Sequence, residues 1–140
     1  AANIVAPQAE FTVDMRFTSH AEADRLMQLI GSLEPVQEGI RLSVKGGIGR
    51  PPMERNDLMI ETYTQYAKLA GQLGLPLAES LTGSGSDANF TAAMGIPTLD
   101  GLGARGGGMH AENEHVIVSS LARRAALLAS ILQNWEMDGE

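Results

Sequence analysis

Cysteine is absent from this chain. Disulfides and thiolate zinc sites are therefore excluded, and any metal must be held by histidine, aspartate or glutamate. Sequence spacing does not gather those residues: there is no His-x-x-x-His pair and no aspartate-rich cluster. No apolar window is long enough to make a membrane helix, and no secretory signal is visible. The chain opens Ala1-Ala2-Asn3 rather than on methionine, so its start reads as a cut and the missing signal says little. Cytoplasm and periplasm both stay open as compartments. Internal repeats and low-complexity segments are missing as well. Basic charge is scarce, with a net charge of −7 and a pI near 4.9. The imbalance is uneven: residues 1–55 carry six Lys/Arg against seven Asp/Glu, and residues 56–140 carry four against ten. An acidic half argues against a nucleic-acid surface. Its ordinary meaning is solubility.

What is present is enough for one domain. The 140 residues are 44% hydrophobic, which allows a core, and 19% charged, which is usual for a soluble protein. The two halves follow different patterns. Residues 10–17 alternate, with Phe11, Val13, Met15 and Phe17 on one side and Glu10, Thr12, Asp14 and Arg16 on the other. That spacing predicts a half-buried strand. Ser19 and Glu22 read as a capping box, with Ser19 as N-cap and Glu22 reaching back. Ala23, Leu26, Met27, Ile30 and Leu33 follow at helical spacing. Residues 40–45 alternate again and predict a second strand. Gly46-Gly47-Ile48-Gly49-Arg50-Pro51-Pro52 reads as a linker.

Beyond it, Asn56-Asp57 is a plausible cap for a helix carrying Met59, Tyr63, Tyr66, Ala70 and Leu73, stopped by Gly74 and Pro76. Strands are expected at 77–81 and 98–102. Ser86 and Asp87 are expected to cap a helix ending at Gly95. Ser119 or Ser120 should cap a last helix whose buried face is Leu121, Ala125, Leu128, Leu132 and Trp135. Helix, strand, helix, strand, helix is the rhythm of an α/β layer.

Three features could carry chemistry. Arg16 lies on the polar side of its segment beside Asp14, which reads either as a surface salt bridge or as a clamp for a carboxylate. Guanidinium presents a rigid fork that matches a carboxylate with two parallel hydrogen bonds. Asn3 lies a short way upstream, and its amide could assist. The turn Gly83-Ser84-Gly85-Ser86-Asp87 opens a helix, where free N–H groups favour an anion; a capped helix after a tight turn is the plainer reading. His110 ends the loop Gly101 to His110, which holds three consecutive glycines. Its imidazole could ligate zinc, with Glu112 and Glu114 near in sequence, or it could be a solvated loop histidine. His115, next to the apolar run Val116-Ile117-Val118, is the weaker ligand.

These segments also occur in a familiar order: Asn3-Ile4-Val5, Val13-Asp14-Met15-Arg16, Gly83 to Phe90, Gly95-Ile96-Pro97-Thr98, Gly101-Leu102-Gly103 and His110 to Val116. Taken together the chain resembles the C-terminal part of the dinuclear-zinc amidohydrolases that include glutamate carboxypeptidase, acetylornithine deacetylase, aminoacylase and succinyl-diaminopimelate desuccinylase. The glutamate carboxypeptidase-like members are the nearest in flavour. One small departure is Ala6, which stands where the family often has proline, with Pro7 following.

The resemblance implies an α/β fold: the C-terminal part of a zinc-bearing catalytic domain plus half of an α+β, ferredoxin-like lid that mediates dimerisation. Residues 1–53 would be the second half of the lid, lacking its central strand and so left with unpaired edges. Residues 54–140 would be the return into the catalytic domain. His110 matches the one zinc ligand drawn from this part of the family's sequence. Arg16 and Asn3 match lid residues that grip the substrate carboxylate, and Gly85 and Ser86 match the turn that helps hold it. The other ligands of the two zinc ions, the general-base glutamate and a histidine lent across the dimer would lie upstream of Ala1.

The implied reaction is hydrolysis of an amide joining an acyl group to an amino acid, by a water shared between two zinc ions and deprotonated by the glutamate. Substrates would be N-acyl amino acids or glutamyl conjugates. The partners would be the N-terminal remainder of the same protein and a second subunit. The 140 residues alone would be inactive, because catalytic zinc needs about three protein ligands. The rival reading is a non-catalytic module for dimerisation or for binding carboxylate ligands.

Overall fold

The structure, a computed structural model, describes residues 3–135. In chain order it contains α1 (His20–Gly31), α2 (Asp57–Gln72), α3 (Ala88–Ala93), β1 (Gly106–Gly107), β2 (His115–Val116) and α4 (Val118–Asn134). Among these residues none of the helices is long and apolar enough to cross a membrane.

Helix α2 begins where its sequence says it should. Asn56 Oδ1 accepts the Met59 N–H at 3.0 Å, satisfying one of the four orphan donors of the first turn. It ends where glycine permits a left-handed residue: Gly74 has φ +65°, its N–H bonds the Gly71 carbonyl, and the Leu75 N–H bonds the Ala70 carbonyl, both at 3.0 Å. This pair of bonds is the Schellman motif, and Leu75 folds back against the core as that motif favours.

The core is the seam between α2 and α4. Tyr66, Leu69 and Ala70 meet Leu127 and Ile131, and Tyr63, Leu75, Leu77, Leu99, Leu102 and Trp135 close around them. Burying a leucine such as Leu127 contributes about 1.5–3 kcal/mol. Residues 3–53 add nothing to this cluster. Helix α1 buries only Ala23, and Leu29 and Leu33 remain exposed.

Several local expectations are corrected. Residues 10–17, 40–45, 77–81 and 98–102 form no strand; the ladder among the described residues is the antiparallel pair β1–β2, with Gly106 opposite Val116 and Gly107 opposite His115. Alternation reports which side chains share a face. A strand also needs a neighbour to take its N–H and C=O groups; the segments at 10–17 and 40–45 make no such ladder, and Phe11, Val13, Ile40, Leu42 and Val44 are exposed. The regular structure among the described residues is therefore mostly helix, with one small ribbon.

Helix α4 is rotated from its expected face. Ser120, Leu127 and Ile131 point inward, while Leu121, Leu128 and Leu132 face out. The helix is apolar on two sides, so periodicity alone cannot say which side meets the partner at hand. Its start also differs: Ile117 is the N-cap, and Ser120 Oγ sits inside, donating to the Ile117 carbonyl at 2.7 Å and accepting the Arg105 N–H at 3.1 Å. At α1, Ser19 caps as expected by accepting the Glu22 N–H at 3.2 Å. The Glu22 carboxylate is held by Arg25 instead of reaching back, with bonds of 2.8 and 2.7 Å. These charged hydrogen bonds, helped by the attraction of the two charges and opposed by slight desolvation, hold the Glu22 carboxyl below the usual carboxylate range.

Candidate functional site

An open cleft of ≈ 1290 Å³ runs between the segment carrying Arg16, the turn at 83–85 and the loop carrying His110. Arg16, Gly85 and His110 all line it; Asn3 and Ser86 are not part of its wall. Four arginines (Arg16, Arg50, Arg55, Arg124) and four carboxylates (Asp14, Glu54, Glu79, Asp100) are on that wall. In a chain of net charge −7 this makes the cleft locally balanced and open to an anion.

Arg16 is held from two directions. Its Nε and Nη2 donate to Asp14 Oδ2 at 3.2 and 3.0 Å, and its Nη1 donates to the Gly83 carbonyl at 3.2 Å. The surface salt bridge weighed from sequence exists, and the same side chain also reaches a turn 67 residues away. Both partners of the ion pair are largely exposed, at 67% and 72%. Such a pair contributes at most about 1 kcal/mol, so an incoming carboxylate can replace Asp14 at little cost.

The turn at 83–87 is fixed by its own side chains. Ser86 Oγ accepts the Ala88 N–H at 3.3 Å, while Asn89 Oδ1 accepts the Ser86 N–H at 2.9 Å, a reciprocal cap. Ser86 is thus the working cap of α3. Asp87, expected to share that role, makes no capping bond and pairs with Arg50 Nη1 at 3.1 Å. Asn89 Nδ2 also donates to the Pro51 carbonyl at 2.8 Å, fastening residues 50–51 to the turn. Arg50 packs closely on Gly85: a Cβ there would lie 2.9 Å from Arg50 Cδ, and the arginine side chain would have to shift. Arg50, which sequence reading left in a linker, therefore crosses the turn and stands over the Phe90 ring at 4.9 Å. No periodic pattern announces such a residue.

His110 stands at the tip of the loop joining β1 to β2. It is exposed and has φ +64°, the left-handed region, where histidine joins asparagine and aspartate as the non-glycine residues most often found. The turn is closed by the Ala111 N–H bonding the Gly108 carbonyl at 2.8 Å, which puts His110 in the third position. Gly108 itself has φ +70°, and a Cβ there would lie 2.8 Å from the Asn113 carbonyl oxygen. His115 lies on β2 with Nδ1 2.9 Å from the Asn113 carbonyl. Arg124 braces the glycine loop below by donating to the Gly103 carbonyl at 2.8 Å and to the Gly101 carbonyl. Among the described residues no three histidines, aspartates or glutamates come together as a metal site. His110 offers one exposed imidazole; these residues by themselves do not fit a metal.

Comparison with known proteins adds lineage to this geometry. The sequence model described as peptidase family M20/M25/M40 matches residues 4–134. Carboxypeptidase G2 of Pseudomonas sp. (strain RS-16) is similar, 27% identical over 139 residues that take in 94% of this chain and 33% of the relative. The chain thus spans about a third of the length of the curated relative it matches. No solved structure matches it.

Proposed function

The chain belongs to peptidase family M20/M25/M40, and from that premise we propose that it is the C-terminal part of a zinc-dependent metallopeptidase that hydrolyses the amide bond to an amino acid, in the manner of a carboxypeptidase. The observation that carries the reading is that Arg16 and His110, 94 residues apart in sequence, open on one cleft together with Gly85. Arg16 would take the free carboxylate of the substrate, aided by Asn3 and by the turn at Gly85 and Ser86. His110 would give one imidazole to a two-zinc site whose other ligands, with the general base, come from the remainder of the protein. Fixing the substrate by its carboxylate determines which carbonyl can reach the reacting centre, and that positioning is this chain's part in the chemistry.

On this reading residues 1–53 are half of a lid that pairs two subunits, and residues 54–140 return to the catalytic domain. Exposed area supports a larger setting. The chain exposes 11411 Å², where a compact monomer of 14.8 kDa would expose about 7000 Å². The outward leucines of α4 and the unladdered segments account for part of that excess.

The test uses the full-length protein. Purified with its metal, it should hydrolyse N-acyl amino acids or glutamyl conjugates, and do so about a hundredfold more efficiently than analogues whose carboxylate is amidated. His110→Ala should lose bound zinc, measured by elemental analysis, along with activity. Full zinc occupancy in that variant would remove His110 from the metal site. Zinc-loaded wild-type protein that hydrolyses none of these substrates would leave the binding-module reading in its place.

A further inference from the structure

We infer that Arg124 is a positioning residue: from the first half of α4 it fixes the course of the glycine loop, and through that loop the place of His110 on the cleft wall. The inference rests on the proposed function above and deepens it. Residues 98–105 make no ladder, so their backbone groups take partners elsewhere. Helix α4 supplies them. Arg124 donates from Nε to the Gly103 carbonyl at 2.8 Å and from Nη2 to the Gly101 carbonyl. One turn earlier, Ser120 Oγ accepts the Arg105 N–H at 3.1 Å. The Arg105 carbonyl accepts the N–H of Ile117, the N-cap of the same helix, at 2.8 Å. Every second residue of the stretch 101–105 is thus tied to the first half of α4.

The spacing along the helix makes this possible. Ser120 and Arg124 are four residues apart and share one side of α4, which Leu127 and Ile131 continue. That side is divided: its later part packs on α2, and its earlier part holds the loop. Arg124 therefore refers the loop to the core. A guanidinium suits the task, because its planar fork spans two acceptors at fixed geometry, whereas an ammonium is a single point. From Arg105 the chain enters β1 directly, and β1 leads into the turn that carries His110. Gly101, His110 and Arg124 all line the cleft. The bonds that Arg124 makes go to the loop backbone, so it acts on the chemistry through the loop and not on the substrate. A shift of about 1 Å passed along this path would cost about a hundredfold in rate.

The experiment combines steady-state kinetics and amide hydrogen exchange on the full-length protein, with an N-acyl amino acid as substrate. Arg124→Met should lower kcat by about tenfold to a hundredfold and leave KM within about threefold, because Arg16 still takes the carboxylate. The Arg105 and Ile117 amides should exchange about tenfold faster or more, from the loss of hydrogen bonds to a charged group, while the amides of α2 keep their rates. Arg124→Lys should recover part of both effects. Ser120→Ala removes the neighbouring anchor and gives a second variant should Arg124→Met fold poorly; it should lower kcat in the same way and speed exchange at Ile117. Faster exchange with unchanged kcat would make Arg124 a brace of the fold alone and overturn the inference. So would unchanged exchange at Arg105 and Ile117, or a raised KM with kcat intact, which would put Arg124 on the substrate. Each of these results leaves the proposed function standing. A wild type that hydrolyses no N-acyl amino acid at all would sink both.

Discussion

Arg16→Met separates binding from stability, because the side chain's contacts within the protein are few and exposed. Within the protein Arg16 makes an exposed ion pair with Asp14 and one bond to the Gly83 carbonyl. The first contributes at most about 1 kcal/mol and the second about as much, so unfolding should move by no more than about 2 kcal/mol. A substrate carboxylate gripped by both arms of the fork makes two charged hydrogen bonds, each about 1.5–3 kcal/mol. Losing them costs about 3 kcal/mol or more, which is about a hundredfold or more in kcat/KM at about 1.4 kcal/mol per factor of ten. The assay is kcat/KM of the full-length protein on an N-acyl amino acid and on its carboxyl amide, beside a thermal melt. The free acid should lose about a hundredfold and the amide almost nothing. Arg16→Lys should sit between, because an ammonium keeps the charge and loses the two-pronged geometry. A drop below fivefold on the acid, or the same drop on the amide, would refute the reasoning.

Three further outcomes follow from the geometry. Leu127 is 1% exposed at the α2–α4 seam, and Leu127→Ala should destabilise the full-length protein by about 2–5 kcal/mol, read from its denaturant midpoint. Gly108→Ala must both adopt a left-handed backbone and displace Asn113; it should reduce bound metal and activity together through the His110 loop, with circular dichroism of the helices unchanged. For Glu22, the bonds from Arg25 lower the carboxyl below its ordinary value, so the stability it adds is complete above that ordinary value and is lost as pH falls through the lowered one. An NMR titration should show the depressed midpoint, and Arg25→Ala should return it to the ordinary range.

The parts of the fold legible in the sequence are those decided within a few residues. Asn56 and Gly74 bound α2 because a cap and a left-handed C-terminal residue are local devices. The alternation at 10–17 is just as regular, yet no strand forms there, because a ladder needs a neighbour that local sequence cannot supply. The facing of α4 failed for a related reason: both of its apolar sides satisfy the helical period, and only the position of α2 selects Leu127 and Ile131. At the cleft, Arg16 and His110 were singled out by chemical type and by resemblance. The structure sets them with Gly85 around one opening and leaves Asn3 and Ser86 outside its wall. Arg50 was missed because its importance lies in what it crosses, a glycine 35 residues away.

The bonds across the cleft also suggest how its two sides relate. The segment bearing Arg16 has no ladder to fix it. At the turn it meets the later half through Arg16 at Gly83, and the linker meets the same turn through Arg50 at Asp87 and Pro51 at Asn89. Two of these three contacts come from exposed arginines, and exposed contacts of this kind hold weakly. The turn at 83–87 is thus one junction between the two halves of the chain, and the bond from the His20 N–H to the Glu54 carboxylate is another. A substrate carboxylate bound by Arg16 beside that turn would add charged hydrogen bonds stronger than the surface pair it displaces. On the proposed function, the group that identifies the substrate as an amino acid would then strengthen the junction at this turn.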